Sequence, residues 1–210
     1  GRPFFFPKPN VHITEDFFSS EGHDDFLRLV ALTSSEKGNP YYVFDRGGTA
    51  KISECCRLSF KLEKSDFDDA KTPWKMRYSA VQNVTLNLPR IAYEAGGDDA
   101  RLFELISERM ALMAKAHQLK RGFVEKLLAL QGSGPLGLLA MALDDESYYR
   151  MHRATFLFGM LGLNELVQYH LGQEMHDSDE ALKFGLKVIA QMKLLADKMS
   201  KRHGMRFVLE

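Results

Sequence analysis

The chain changes character at Gly96-Gly97, and that change sets what it can fold into. Before it, Pro, Gly, Asn and Asp break the sequence too often for a long helix to run. Short β-like runs stand out at Tyr41-Tyr42-Val43-Phe44 and Val84-Thr85-Leu86, with a Gly47-Gly48 turn after the first. Residues 62–73 are polar and charged and read as an exposed excursion. After Gly96-Gly97 the spacing turns helical. Asp98 and Asp99 suit a helix N-terminus, where carboxylates oppose the macrodipole. Phe103, Ile106, Met110, Met113 and Ala116 recur at helical intervals, continued by Phe123 and Leu127. The run 131–135 (Gln-Gly-Ser-Gly-Pro) ends that helix. Asp144-Asp145-Glu146 opens a second helical stretch, and Asn164-Glu165 a third that ends near Gly172. Asp177 with Glu180 reads as the capping pair of a last helix along Leu182, Leu186, Ile189, Met192 and Met199, which stops at Gly204. Residues 206–210 then read as extended. Strand-like loops, long helices and a closing strand fit an α/β barrel segment better than a free-standing bundle. Without repeats or a low-complexity linker, no domain boundary is expected within 1–210, the helical part covering 98–203.

Composition narrows the function classes. Hydrophobic residues make up 45% and charged residues 27% of the 210 positions, the make-up of a soluble globular protein. A formal net charge of zero gives no electrostatic reason to expect nucleic acid or an anionic membrane as partner, although a few local donors can still hold phosphates. No apolar run approaches the roughly 18 residues of a membrane span. The opening residues 1–7 lack the apolar core and cleavage site of a signal peptide. Both ends read as cuts inside a larger protein. The two cysteines are adjacent, a poor geometry for a mutual disulfide, so a reducing compartment and a cytoplasmic location are expected.

Two constellations could carry chemistry. Cys55-Cys56-Arg57 follows a Gly-Gly turn and precedes a polar loop. A thiol on a loop tip can be presented to a cavity, and a neighbouring guanidinium lowers a thiol pKa; equally, free cysteines pack as small hydrophobes. Within Gln82-Asn83-Val84-Thr85-Leu86-Asn87-Leu88-Pro89-Arg90, alternation puts Asn83, Thr85 and Asn87 on one strand face. Such a row can bind sugar hydroxyls, or its amides can satisfy local backbone. The seven histidines show no zinc-helix spacing, so no metal site is expected from this chain. The glycine-rich stretch 131–137 lacks the Lys-Ser/Thr of a phosphate loop and reads as a connection between helices, with Pro135 opening the next one.

Cys55-Cys56-Arg57-Leu58, followed by the run 83–92 (Asn-Val-Thr-Leu-Asn-Leu-Pro-Arg-Ile-Ala), resembles the anaerobic (class III) ribonucleoside-triphosphate reductases. The stretch 6–17, Gly38-Asn39-Pro40-Tyr41-Tyr42 and Gly162-Leu163-Asn164-Glu165 match the same pattern in the same order. The resemblance implies part of a ten-stranded α/β barrel of the glycyl-radical type, with a central finger loop near 47–60 and long helices. It implies that Cys56 carries a thiyl radical, which takes the ribose 3′ hydrogen while the 2′ hydroxyl leaves as water. The glycyl radical, installed by an S-adenosylmethionine iron–sulfur activating enzyme, and a structural zinc would lie outside this chain, and no cofactor is expected on this segment. The expected partners are a ribonucleoside triphosphate, the activating enzyme, formate or a thioredoxin-like reductant, and a second copy in a homodimer. Formate-using members carry an asparagine where this chain has Ala80, which favours a thioredoxin-like reductant and leaves Gln82 and Asn83 as the nearest polar substitutes for substrate binding.

Two alternatives stand beside this reading. Pyruvate formate-lyase-like enzymes also carry a cysteine pair and would predict acetyl transfer from acetyl-CoA to Cys55 or Cys56. A non-enzymatic helical module would dock through 98–131 and 178–203 and tolerate loss of both cysteines. Because the second active-site cysteine, the glycyl loop and the regulatory domain of the reductases are absent from the sequence, the 210-residue chain alone is expected to be inactive. Deoxynucleotide formation by the chain alone, assayed anaerobically, would contradict this.

Overall fold

The computed structural model describes residues 9–38, 40–45, 51–54, 58–61, 76–143 and 146–210. It divides into two compact units, Gly1–Met76 and Arg77–Glu210.

In the first unit β1 (Asn10–Thr14) and β2 (Tyr41–Asp45) pair in parallel, Asn10 opposite Tyr41 and Thr14 opposite Asp45. Parallel neighbours need a crossover, and α1 (His23–Lys37) supplies it. Val11 and Ile13 pack with Val30 of this helix. The sequence reading took this region as irregular. Of the apolar residues of α1 only Val30 is buried, so its helical periodicity is faint. β3 (Lys51–Glu54) pairs antiparallel with β4 (Leu58–Lys61), Glu54 opposite Leu58.

The second unit is built on a parallel sheet of β5 (Ser79–Asn87), β8 (Ala154–Leu161) and β9 (Arg206–Leu209), in the order β5-β8-β9. Two short strands, β6 (Ala142–Leu143) and β7 (Glu146–Ser147), pair antiparallel within the first crossover. Its helices are α2 (Leu88–Ala95), α3 (Asp99–Ala129) and α4 (Gly137–Ala140); the second crossover holds α5 (Leu163–Leu171) and α6 (Asp179–His203). β5 passes into α2 with no loop, because Asn87 Oδ1 accepts from Arg90 N–H at 3.1 Å and Pro89 presets the first turn. Asp98 caps α3 through Arg101 N–H.

Phe156 and Phe158 of β8, Leu86 of β5 and Phe207 of β9 share one core cluster with Leu102, Ile106 and Met110 of α3 and Val188, Met192 and Ala196 of α6. Burying each phenyl ring stabilises the fold by roughly 1.5–3 kcal/mol. Phe158 and Phe207 stack at 4.7 Å. His117 of α3 is fully buried against Phe156, Phe158 and Phe207. Its Nε2 donates to the Leu157 carbonyl at 2.9 Å, and its buried Nδ1 has no partner. Burial holds its pKa below the usual imidazole value, so the ring is neutral with its proton on Nε2.

Three expectations need correction. No helix begins at Glu146, which opens β7 (Glu146–Ser147), and the apolar run that follows is β8, while Asp144 and Asp145 lie outside the described residues. A central parallel strand reads as a continuous apolar run, which periodicity does not separate from a helix. The cap of α6 is Ser178, whose Oγ accepts from Ala181 N–H at 3.1 Å, while Asp177 accepts from Glu174 N–H. The buried face of α6 is Ala181, Gly185, Val188, Met192 and Ala196, leaving Leu182 and Leu186 exposed. Small residues lie there because neighbours press close: a Cβ on Gly185 would stand 2.6 Å from Met175 Cε.

Below the ordinary imidazole pKa of 6.5 the unfolded chain takes up a proton on His117 that the folded chain resists. This contribution to stability is therefore full above that pH and is lost as the pH falls from there toward the depressed folded value. Urea midpoints of wild type and His117→Gln, compared between about pH 7.5 and about pH 5.5, should show the wild type losing the larger part of its stability. Parallel pH profiles would contradict the assignment.

Candidate functional site

Alternation sorts the larger sheet into two faces. Val84 and Leu86 share the helix-covered face with Phe156, Phe158 and Phe207. The opposite face carries Asn83 and Thr85 of β5, Leu157 and Gly159 of β8, and Val208 of β9, with Glu210 just beyond the end of β9. Asn83 Nδ2 donates to Glu210 Oε2 at 2.7 Å, and Thr85 Oγ1 donates to Asn83 Oδ1 at 3.3 Å. The amide is thus held at both ends. Gly159 leaves the room: a Cβ there would stand 2.5 Å from Thr85 Oγ1 and closer still to Asn83 Oδ1. The cluster lies toward the carboxyl ends of the strands, where open parallel sheets place their ligand sites.

Alternation gives this face to Asn83 rather than Gln82, and a bulge sets Ala80 on the same face. Ala80 pairs with Thr155, Gln82 with Phe156 and Asn83 with Leu157, so Val81 is the extra residue. Asn83 therefore follows directly after Ala80 on the same face, while Gln82 falls in register with the helix-covered side. The structure brings together Asn83, Thr85, Gly159 and Glu210, and leaves Gln82 apart. Asn87 is spent on the α2 cap. Cys55, Cys56 and Arg57, between β3 and β4 in sequence, lie outside the described residues.

Sequence reasoning missed Glu210 and Gly159. A glycine inside the apolar run 154–161 was the available signal, since glycine in a strand marks a close approach. Several motif residues prove to be mechanical. Gly162, at φ 77°, abuts Pro89, whose Cγ would be 2.5 Å from a Cβ there. Asn164 Oδ1 accepts from Met175 N–H at 2.9 Å. Arg90 and Arg109 both donate to Glu94, tying α2 to α3 and holding that carboxyl below the usual carboxylate range. Among the described residues no cluster of three His, Cys, Asp or Glu side chains could hold a metal ion, and no helix is long and apolar enough to cross a membrane.

A parallel sheet with crossover helices and a polar cluster at its carboxyl edge defines an α/β protein with a candidate site at the sheet. The chain belongs to the anaerobic ribonucleoside-triphosphate reductase family, whose model matches residues 1–210. It is 31% identical over 133 residues to the anaerobic ribonucleoside-triphosphate reductase of Salmonella typhimurium, and 30% identical over 133 residues to that of Escherichia coli. Each alignment covers 60% of this chain and 19% of the relative, so the matched part spans about a fifth of those proteins. The Thermotoga maritima anaerobic ribonucleotide reductase in complex with dATP and CTP superimposes with a TM-score of 0.68 at 19% identity, over 99% of this chain and 33% of that one. The same protein with dATP in its specificity site gives a TM-score of 0.70 at 17% identity, again over 99% and 33%. At that identity the likeness establishes the fold: mixed helix and sheet with parallel strands, as in those reductases.

Gly159→Ala should destabilise the chain by about 1–3 kcal/mol through overpacking, and most of that loss should vanish in a Thr85→Ala, Asn83→Ala background. A double-mutant cycle by urea denaturation measures the coupling. Additive losses would mean that Gly159 does not serve the polar pair.

Proposed function

We propose that this chain is the central portion of the catalytic barrel domain of a protein that reduces ribonucleoside triphosphates to deoxyribonucleotides anaerobically. The observation that carries the reading is the family match along the whole chain, joined to an oriented polar cluster at the carboxyl edge of a parallel sheet. In this reading the sheet belongs to a ten-stranded barrel, and the β3–β4 segment near 47–60 is its finger loop.

Cys56 is the radical-carrying residue of the proposal. As a thiyl it takes the ribose 3′ hydrogen, the 2′ hydroxyl leaves with a proton as water, two electrons and a second proton from a reductant put hydrogen on C2′, and the Cys56 thiol then returns the 3′ hydrogen and is a thiyl again. The glycyl radical, placed outside this chain by an S-adenosylmethionine iron–sulfur activating enzyme, supplies the oxidising equivalent. Asn83 binds a ribose hydroxyl, oriented by Glu210 and Thr85. A thioredoxin-like reductant fits better than formate: Ala80 offers no amide, and the Glu210 carboxylate 2.7 Å from the Asn83 amide would repel a formate anion. A homodimer, a zinc site elsewhere in the protein and a cytoplasmic location complete the reading. The family assignment speaks against the acyl-transfer and helical-module alternatives.

The test uses the full-length parent, activated anaerobically, with deoxynucleotide formation assayed from all four ribonucleoside triphosphates. Cys56→Ser should abolish turnover while the glycyl-radical EPR signal persists. Asn83→Leu should lower kcat by on the order of 10²-fold with that signal intact. Full activity in the serine variant would remove Cys56 from the mechanism.

A further inference from the structure

Glu210 has more hydrogen-bonding capacity than Asn83 uses. Its backbone is fixed to β8: Glu210 N–H donates to the Phe158 carbonyl, and Met160 N–H donates to the Glu210 carbonyl, both at 3.0 Å. Those two bonds bracket Gly159 in the parallel ladder. Thr85, Gly159 and Glu210 therefore form one row across the sheet, with the glycine in the middle. The Asn83 amide lies over that glycine, since a Cβ on Gly159 would stand 3.1 Å from Asn83 Nδ2 and closer still to Asn83 Oδ1 and Thr85 Oγ1.

This cluster has more acceptors than donors to spare. An amide offers two N–H donors and two acceptor positions, a carboxylate offers two acceptor oxygens, and a hydroxyl has one proton to give. Asn83 spends one N–H on Glu210 Oε2 and one acceptor position on the Thr85 hydroxyl. One Asn83 N–H then stands against three acceptor atoms. They are Asn83 Oδ1, Thr85 Oγ1 and Glu210 Oε1, the last without a partner among the described residues.

A ligand that matches this surplus must give more protons than a single hydroxyl carries, and must still accept one. A carboxylate anion gives none. An ammonium group gives several but leaves the Asn83 N–H without an acceptor. Two hydroxyls on neighbouring carbons meet both demands, because each can donate and accept at once.

We propose that Glu210 is itself a substrate-binding residue, and that the cluster reads the two ribose hydroxyls as a pair. One hydroxyl donates to Glu210 Oε1. The other accepts the free Asn83 N–H and donates to Thr85 Oγ1. The inference rests on the reductase reading above and assigns specificity within it. A site built to bond a hydroxyl rejects the analogue that lacks it, because its own polar groups are left unpaired. Reduction removes the 2′ hydroxyl, so the product keeps one of the two anchors and is held more weakly than the substrate.

The test uses the full-length parent, activated anaerobically, with its effector nucleotide saturating. The 2′-deoxy and 3′-deoxy forms of its preferred ribonucleoside triphosphate serve as competitive inhibitors. In the wild type each Ki should exceed the substrate KM at least about tenfold. Glu210→Gln keeps an oxygen for the Asn83 amide and puts an NH2 group in place of the free acceptor oxygen. It should raise KM and the Ki of one deoxy analogue at least about tenfold. The Ki of the other analogue, which lacks the hydroxyl that Glu210 meets, should stay within about threefold of wild type. If the variant does not turn over, equilibrium binding to the unactivated protein, which does no chemistry, gives the same three ratios. Equal weakening of all three nucleotides would overturn the inference, since Glu210 would then serve only to hold Asn83, and so would no weakening of any. A wild type that reduces no ribonucleotide would instead overturn the reductase reading itself.

Discussion

The larger unit depends on β8 being buried from both sides. Ala154 to Phe158 are all inaccessible to solvent, with Thr155 and Leu157 on one face and Phe156 and Phe158 on the other. A strand so placed needs a hydrogen-bonding neighbour along each edge, because an unpaired buried peptide group costs as much as a lost bond. β5 and β9 are those neighbours, both parallel to β8, and parallel neighbours force crossovers. The crossovers are the helices, whose apolar faces cover Phe156 and Phe158. His117 adds a direct tie from α3 to the strand backbone at Leu157. The same parallel geometry gathers the carboxyl ends of β5, β8 and β9 at one edge. Asn83 and Glu210 therefore meet although 127 residues separate them.

What could be read from the sequence follows the range of the interaction. Asp98 at the start of α3, Gly172 after α5 and Gly204 after α6 act within a turn of their own position, and each stands where local chemistry places it. The alternation of Asn83, Thr85 and Asn87 is equally local. The phase of α6 is not, since its buried face is chosen by how closely Met175 approaches Gly185. Nor is the bulge at Val81, which exists only relative to β8 and brings Ala80 onto the face of Asn83. Glu210 joins the cluster only once β9 has docked beside β8. Local rules thus found the long helices of the larger unit and half of the cluster, while α1, β8 and the rest of the cluster depend on tertiary packing.

Most of the residues that carry the family resemblance in the larger unit hold the fold. Asn87 turns β5 into α2, Arg90 joins α2 to α3 through Glu94, Gly162 admits Pro89, and Asn164 pins the chain ahead of α6. Each has a partner that explains its chemistry. Asn83 is different. It caps no helix and closes no turn, and its contacts are to a threonine and a carboxylate on the sheet face away from the helices. Function lives in sites rather than in folds, and these polar residues, which cap no helix and close no turn, make up the candidate site.

The orientation of the Asn83 amide bears on the chemistry proposed for it. Its Nδ2 gives a proton to Glu210 and its Oδ1 takes one from Thr85, so the amide cannot flip without losing both bonds. A polar group fixed before the ligand arrives costs no reorganisation on binding, which is how fixed dipoles assist a reaction. The neighbouring carboxylate gives the cluster a negative charge. A ribose hydroxyl can donate to that charge, whereas formate cannot approach it without another cation, and none of the groups bonded to Asn83 supplies one. In the proposed reading, then, the bulge at Val81 substitutes Asn83 for the amide absent at Ala80 in binding the sugar, but not in holding a small anionic reductant, and the electrons must come from a source that needs no anion pocket at this face.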